Sequence, residues 1–325
     1  MAENVFRLPL PLPDTGLRAV NAYVLLGGAG PVVVDPGQAT GECWDALVAG
    51  LLELGLRPHE VTRVLVTHIH RDHYTQSVVL RRRHGTRIAL GEGEKVSLTL
   101  VRDRFRERML TQLRLLQASG APDIAAAMAD NDDGVDIDLW EEPDEWLPGW
   151  AYIPLGDRAL TAIPTPGHTR GHVVFHDAAA RLLFAGDHVL PAITPSIGFE
   201  PGPGPLPLAD YLHSLLLMRR IDDCALLPAH GPVTGSLHDR VTELLEHHAD
   251  RLEATYAGLS VGVDTAAEVA RRLLWTRWGR SFDDLSAFDR MLAVLETRAH
   301  LDVLVDRDRL VVHRDEAGVD RYATA

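Results

Sequence analysis

The chain has 325 residues, 46% of them hydrophobic, enough for one large domain plus a small one, and a formal net charge of -14. That charge disfavours a nucleic-acid partner, whose phosphates are met by clustered Lys and Arg; almost all the positive charge is arginine, Lys95 being the one lysine. No run approaches the roughly 20 apolar residues of a membrane span, Met1–Pro13 lacks a signal-peptide pattern, and the two cysteines, Cys43 and Cys224, give no disulfide framework or metal spacing, so a cytoplasmic protein with buried thiols and no membrane partner is expected.

Ala22–Leu26 and Val32–Asp35, separated by Gly27, Gly28, Gly30 and Pro31, predict a hairpin entering a buried sheet. Gly41–Leu54 has helical spacing and stops at Gly55. Val64–Val66 is a buried strand running straight into Thr67-His68. Ser77–His84 follows as a helix and Arg87–Leu90 as a strand. This alternation predicts an α/β fold. Glu92–Trp150 breaks the pattern. It is charged and helical to Ala129, then acidic over Asp130–Glu145, and reads as an insertion that is either a packed cap or a wall of the substrate site. Strands resume at Leu160–Ile163, Val173–Phe175, Leu182–Phe184 and Ala225–Leu227, with a helix at Leu208–Arg220. From residue 245 the chain is helical again and closes with a hairpin, Leu301–Val305 and Leu310–His313. Three helices and a hairpin predict a small winged-helix-like domain over 245–325, after a domain over 1–244.

The chemistry concentrates in Thr67-His68-Ile69-His70-Arg71-Asp72-His73, directly after a buried strand. His68 and His70, two apart, can be aimed the same way by an extended or tightly turned backbone, while Asp72 and His73 face a second position nearby. Imidazole and carboxylate suit zinc and similar divalent ions. Burying so many ionisable groups without a metal would be costly. Three further loops follow strands: Pro166-Gly167-His168-Thr169, ending in Gly171-His172; Phe184-Ala185-Gly186-Asp187; and Leu227-Pro228-Ala229-His230-Gly231-Pro232.

Together these motifs resemble the metallo-β-lactamase superfamily, whose signature is H-x-H-x-D-H followed by a distant His, Asp and His; the resemblance covers about residues 5–240. It implies a four-layer αβ/βα sandwich. It assigns His68, His70 and His168 to a first metal, Asp72, His73 and His230 to a second, and Asp187 to a bridge between them, with Asp35 in support. The implied cofactor is a pair of zinc ions, with iron or manganese as alternatives. Two such ions ionise a water and share the resulting hydroxide, which attacks an electrophilic centre. Asp72 is the candidate for orienting that nucleophile and carrying its proton. His188 and Tyr74 are candidates for substrate contact, and His172 for buttressing the His168 loop.

Thr265–Leu310 resembles the winged-helix tail of lactamase-beta-like proteins, but acidic residues outnumber basic ones from Asp250 onward, so a structural or dimer-forming role is expected of it. Fold does not choose among the chemistries of the superfamily. The expected substrate is a small ester, thioester or lactone, its acyl group received by the run Val189–Gly198 and the insertion. The alternatives are an endoribonuclease of the lactamase-beta-like type and a mononuclear iron persulfide dioxygenase.

Overall fold

The computed structural model describes residues 3–12, 16–28, 30–103, 110–129, 136–276 and 278–325. Two sheets face each other. The first has six strands in sequence order: β1 (Val5–Pro11), β2 (Ala19–Leu25), β3 (Val32–Val34), β4 (Arg63–Val66), β5 (Arg87–Gly91) and β6 (Glu145–Leu147). The β1–β2 and β2–β3 pairs are antiparallel; from β3 to β6 neighbours are parallel. The second sheet runs β11 (Ala225–Pro228), β10 (Leu182–Gly186), β9 (Val173–Asp177), β8 (Arg158–Pro164) and β7 (Ala151–Leu155). Tyr23, Val34, Leu65, Phe175 and Phe184 are among the side chains that fill the space between the sheets.

Helices cover both outer faces. On the first sheet lie α1 (Gly41–Glu53) and α2 (Arg71–His84). The Thr40 hydroxyl accepts the Cys43 amide to start α1, which turns Cys43, Leu47 and Leu51 inward at helical spacing. Gly85, in the left-handed region at φ 75°, ends α2. On the second sheet lie α6 (Pro207–Met218), α7 (Leu237–Gly258) and α9 (Ala287–Asp306). The result is the expected four-layer αβ/βα sandwich, with Cys43 and Cys224 as buried free thiols.

Four expectations change. The strand β1 was hidden by Pro9 and Pro11, which a sheet tolerates here because β1 is an edge. The insertion contains α3 (Lys95–Asp103), α4 (Leu110–Ala118) and α5 (Pro122–Ala129), but ends before β6, which pairs in parallel with β5. Residues 104–109, and 130–135 of the acidic segment, lie outside the described residues, as does Met1 at the N-terminus. A boundary at 244/245 cuts α7, a single 22-residue helix whose Ser236 side chain caps its start. Leu301–Val305 is helical, not a strand: the Ser286-capped α9 runs through it, and the hairpin pairs β12 (Leu310–Arg314) with β13 (Asp320–Thr324).

The C-terminal helices do not stand apart from the rest. Ala299, Leu301, Val303 and Leu304 of α9 share one apolar core with Leu183 and Leu226 of the second sheet. Leu116, Ile124 and Met128 of the insertion share another with Val269 of α8 (Ala266–Arg272) and with Val294 and Leu295 of α9. Each fully buried aliphatic side chain contributes about 1.5–3 kcal/mol, so insertion and C-terminal segment hold each other in place. No helix among the described residues is long and apolar enough to cross a membrane.

Candidate metal centre

Loops at the ends of β4, β8, β10 and β11 meet at one edge of the sandwich and carry seven His and Asp side chains into two clusters. The first holds His68, His70, His168 and Asp187; the second holds Asp72, His73 and His230. In the first, His70 Nδ1 lies 3.0 Å from both His68 Nε2 and His168 Nε2. Nitrogens about 2.0–2.1 Å from a tetrahedral zinc sit roughly 3.3 Å apart, so these three already stand near ligand spacing. Asp187 lies between the clusters. One of its oxygens is 3.5 Å from His168 Nε2; the other is 3.4 Å from His230 Nε2 and 3.7 Å from His73 Nε2.

The surrounding residues fix which atoms face inward. Asp35 accepts the Thr67 amide and hydroxyl at 2.8 Å each, and faces His73 Nδ1 at 3.0 Å. A proton on Nδ1 leaves the His73 Nε2 lone pair free. The same Thr67 hydroxyl is 3.0 Å from His68 Nδ1, so Asp35 orients both histidines. These contacts hold Asp35 at φ 50°, an uncommon conformation for a residue with a side chain. The Ser196 carbonyl accepts from His168 Nδ1 and the Ala19 carbonyl from His230 Nδ1, both at 2.8 Å. Asn21 then ties β2 to the β11 loop by donating to the carbonyls of Pro228 and Gly231.

Two glycines are sterically required. At Gly167, φ is 141° and a Cβ would lie 2.4–2.7 Å from Tyr211 backbone and Cβ atoms. At Gly171 a Cβ would lie 2.0 Å from the Glu94 amide nitrogen. That close approach lets the turn after β5 pack on the His168 loop, where the Thr169 hydroxyl donates to Glu94.

Electrostatics separates the two clusters. Burial lowers the pKa values of His68, His70 and His168, His70 to about 3, so all three offer neutral lone pairs. Burial also works against a charged His73, but the carboxylates of Asp72, Asp35 and Asp187 outweigh it and raise its pKa to about 10. Asp187 is held below the usual carboxylate range: burial opposes this, but His230, His73 and His168 prevail. The second cluster thus attracts a cation strongly. His73 Nε2, His230 Nε2 and one Asp187 oxygen are buried without hydrogen-bond partners. Orphaned donor atoms at ligand spacing fit a pair of divalent ions.

Other expected contacts fall elsewhere. Tyr74 is fully buried, stacks on Trp140 and donates its hydroxyl to the Glu141 carbonyl. It packs and does not line a pocket, because the first turn of α2 points it into the core. His188 is fully buried between His172 and Tyr211, behind the clusters, so substrate contact is withdrawn for it as well. His172 buttresses two loops, with Nδ1 2.8 Å from the Thr165 hydroxyl and Nε2 accepting the Asp187 amide at 3.2 Å. Val189 and Ile197, expected to receive an acyl group, lie in the core beneath α6. Sequence reasoning missed Asn21, Glu94 and Glu200, which carry no motif of their own.

Residues 15–230 match the metallo-beta-lactamase superfamily. The chain is 23% identical to the probable metallo-hydrolase YqjP of Bacillus subtilis, over 93% of this chain and 92% of that protein. It is 24% identical to the acyl-coenzyme A thioesterase MBLAC2 of Gallus gallus, over 85% and 95%. A metallo-beta-lactamase family protein from Thermus thermophilus superposes with a TM-score of 0.82 at 27% identity, covering 99% of both chains.

Proposed function

We propose that this chain, which belongs to the metallo-beta-lactamase superfamily, is a hydrolase of a small ester, thioester or lactone that works with two zinc ions. One observation carries the reading: the two clusters, with Asp187 facing both. His68, His70 and His168 would hold one ion, Asp72, His73 and His230 the other, and Asp187 would bridge. Bound there, two divalent ions supply an ionised water as nucleophile and positive charge for the developing oxyanion.

The chain's own residues do the rest. Asp72 and His70 are the partly exposed members of the two clusters, so the open side lies with them. Asp72 has an oxygen 3.4 Å from His230 Nε2 and would orient the attacking water by accepting a hydrogen bond from it. Its carboxyl stays ionised: burial opposes this, but His73 and His230 outweigh it. Asp35 and Thr67 keep the histidines in the tautomer that leaves their inward nitrogens free. The likeness to an acyl-coenzyme A thioesterase over most of both chains supports an acyl substrate, and the net charge of -14 weighs against RNA.

Elemental analysis of the purified protein, together with a panel of acyl thioesters, esters and lactones, tests the reading. About two zinc ions per chain and turnover within the panel are expected. One iron per chain with no second metal, or a metal-replete protein inert across the panel, overturns it.

A further inference from the structure

Beside the partly exposed His70 stands an aromatic pair supplied partly by the C-terminal segment. Phe199 stands with its ring centroid 6.3 Å from that of His70. Phe288, in the first turn of α9, stands edge to face with Phe199 at 5.4 Å and 80°. The core does not use up this ring, which is 43% exposed. Phe199 is held from both sides. Its carbonyl and that of Glu200 accept from Gln112 of α4 at 2.7 Å each, and Phe199 packs against the cluster that includes Leu295 of α9. Asp283, Asp284 and Asp289 are exposed and close to Phe288 in the chain, against Arg290 of opposite charge, a net acidic setting that disfavours an anionic occupant and leaves an uncharged apolar one.

We propose that Phe199 and Phe288 form the surface on which the acyl chain of the substrate lies, so that α9, from outside the ligand-bearing core, sets acyl-chain preference. This rests on the acyl-hydrolase reading above. Laying a chain of several methylenes on an exposed ring removes apolar area from water on both partners. The expected preference is roughly 10-fold for a medium chain over acetyl.

The test compares the zinc-loaded wild type with Phe288→Ala and Phe288→Leu, by calorimetry with octanoate and acetate and by hydrolysis of octanoyl and acetyl p-nitrophenyl esters. The wild type should bind octanoate more tightly than acetate. Phe288→Ala should reduce that ratio about 10-fold and raise KM for the octanoyl ester with little change in kcat, and Phe288→Leu should restore most of both. A wild type with no preference for octanoate, or a Phe288→Ala ratio equal to the wild type's, overturns the inference. A wild type that prefers octanoate but hydrolyses neither ester counts against the hydrolase reading while leaving the binding wall in place.

Discussion

Replacing Asp35 by Asn changes one atom and tests the logic of the centre. The Asp35 carboxylate accepts three hydrogen bonds while almost fully buried: from the Thr67 amide, from the Thr67 hydroxyl and from His73 Nδ1. An Asn side chain has one oxygen. If that oxygen keeps the Thr67 amide, its NH2 group faces His73 Nδ1 and donates to it. The ring proton then moves to Nε2, which removes the inward lone pair. If the amide flips, its NH2 group opposes the Thr67 N–H and leaves a buried donor unpaired. Either orientation costs about 1–3 kcal/mol, roughly 5- to 150-fold in affinity, which agrees with the 10- to 100-fold typical of lost outer partners of metal ligands. The loss should fall chiefly on the cluster of Asp72, His73 and His230, and less on the other, where Asp35 acts only through Thr67 and His68. Zinc titration against a chromophoric chelator should show one site near wild-type affinity and one weakened within this range. Two unweakened sites in a folded Asp35→Asn protein would refute the tautomer argument.

Three further outcomes follow from the same geometry. Asp187→Ala removes the carboxylate that faces both clusters, so elemental analysis should find at least one metal lost and activity nearly abolished; retained dinuclear content sinks the bridging assignment. Gly167→Ala drives a Cβ to within 2.4–2.7 Å of Tyr211 atoms at φ 141°, which should cost about 3 kcal/mol or more; a thermal midpoint unchanged from wild type would contradict it. Glu94 and Glu200 are buried beside each other, and burial above all raises their pKa values from the ordinary 4.5 to about 7 and about 8. Both keep their protons in the folded chain where the unfolded chain has released them, so stability is highest below about pH 4.5 as far as this pair is concerned and falls as pH rises to about 8. Glu94 alone accounts for about 3 kcal/mol of that fall. Denaturant midpoints measured across this window for wild type and Glu94→Gln should show a flatter profile in the variant; parallel profiles would refute the assignment.

How much of this was legible in the sequence depends on what kind of signal each element carries. The strands β4, β10 and β11 were visible because a strand buried on both faces is a continuous apolar run. The ligands were visible because His68-x-His70-x-Asp72-His73 and the later His168, Asp187 and His230 occur together in one order, though each of the later three alone is a weak signal. The first turn of α2 was not, because it buries His73, Tyr74, Thr75 and Gln76, and inward-facing polar side chains erase the apolar period by which a helix is read. Leu301–Val305 failed for the opposite reason. A short run, apolar but for Asp302, is ambiguous between strand and helix until its length is known, and only the Ser286 cap and the turns that follow it decide for helix. Glu94, Glu200, Phe199 and Phe288 had no local signal at all. Their roles arise from pairings between segments far apart in the chain: Ser97 with Glu200, Gln112 with the Phe199 carbonyl, Phe199 with Phe288. The metal-binding loops are therefore encoded locally. What lies over them is encoded in the packing of the insertion against α9, and it is there, rather than among the seven ligands, that members of one superfamily can differ in substrate.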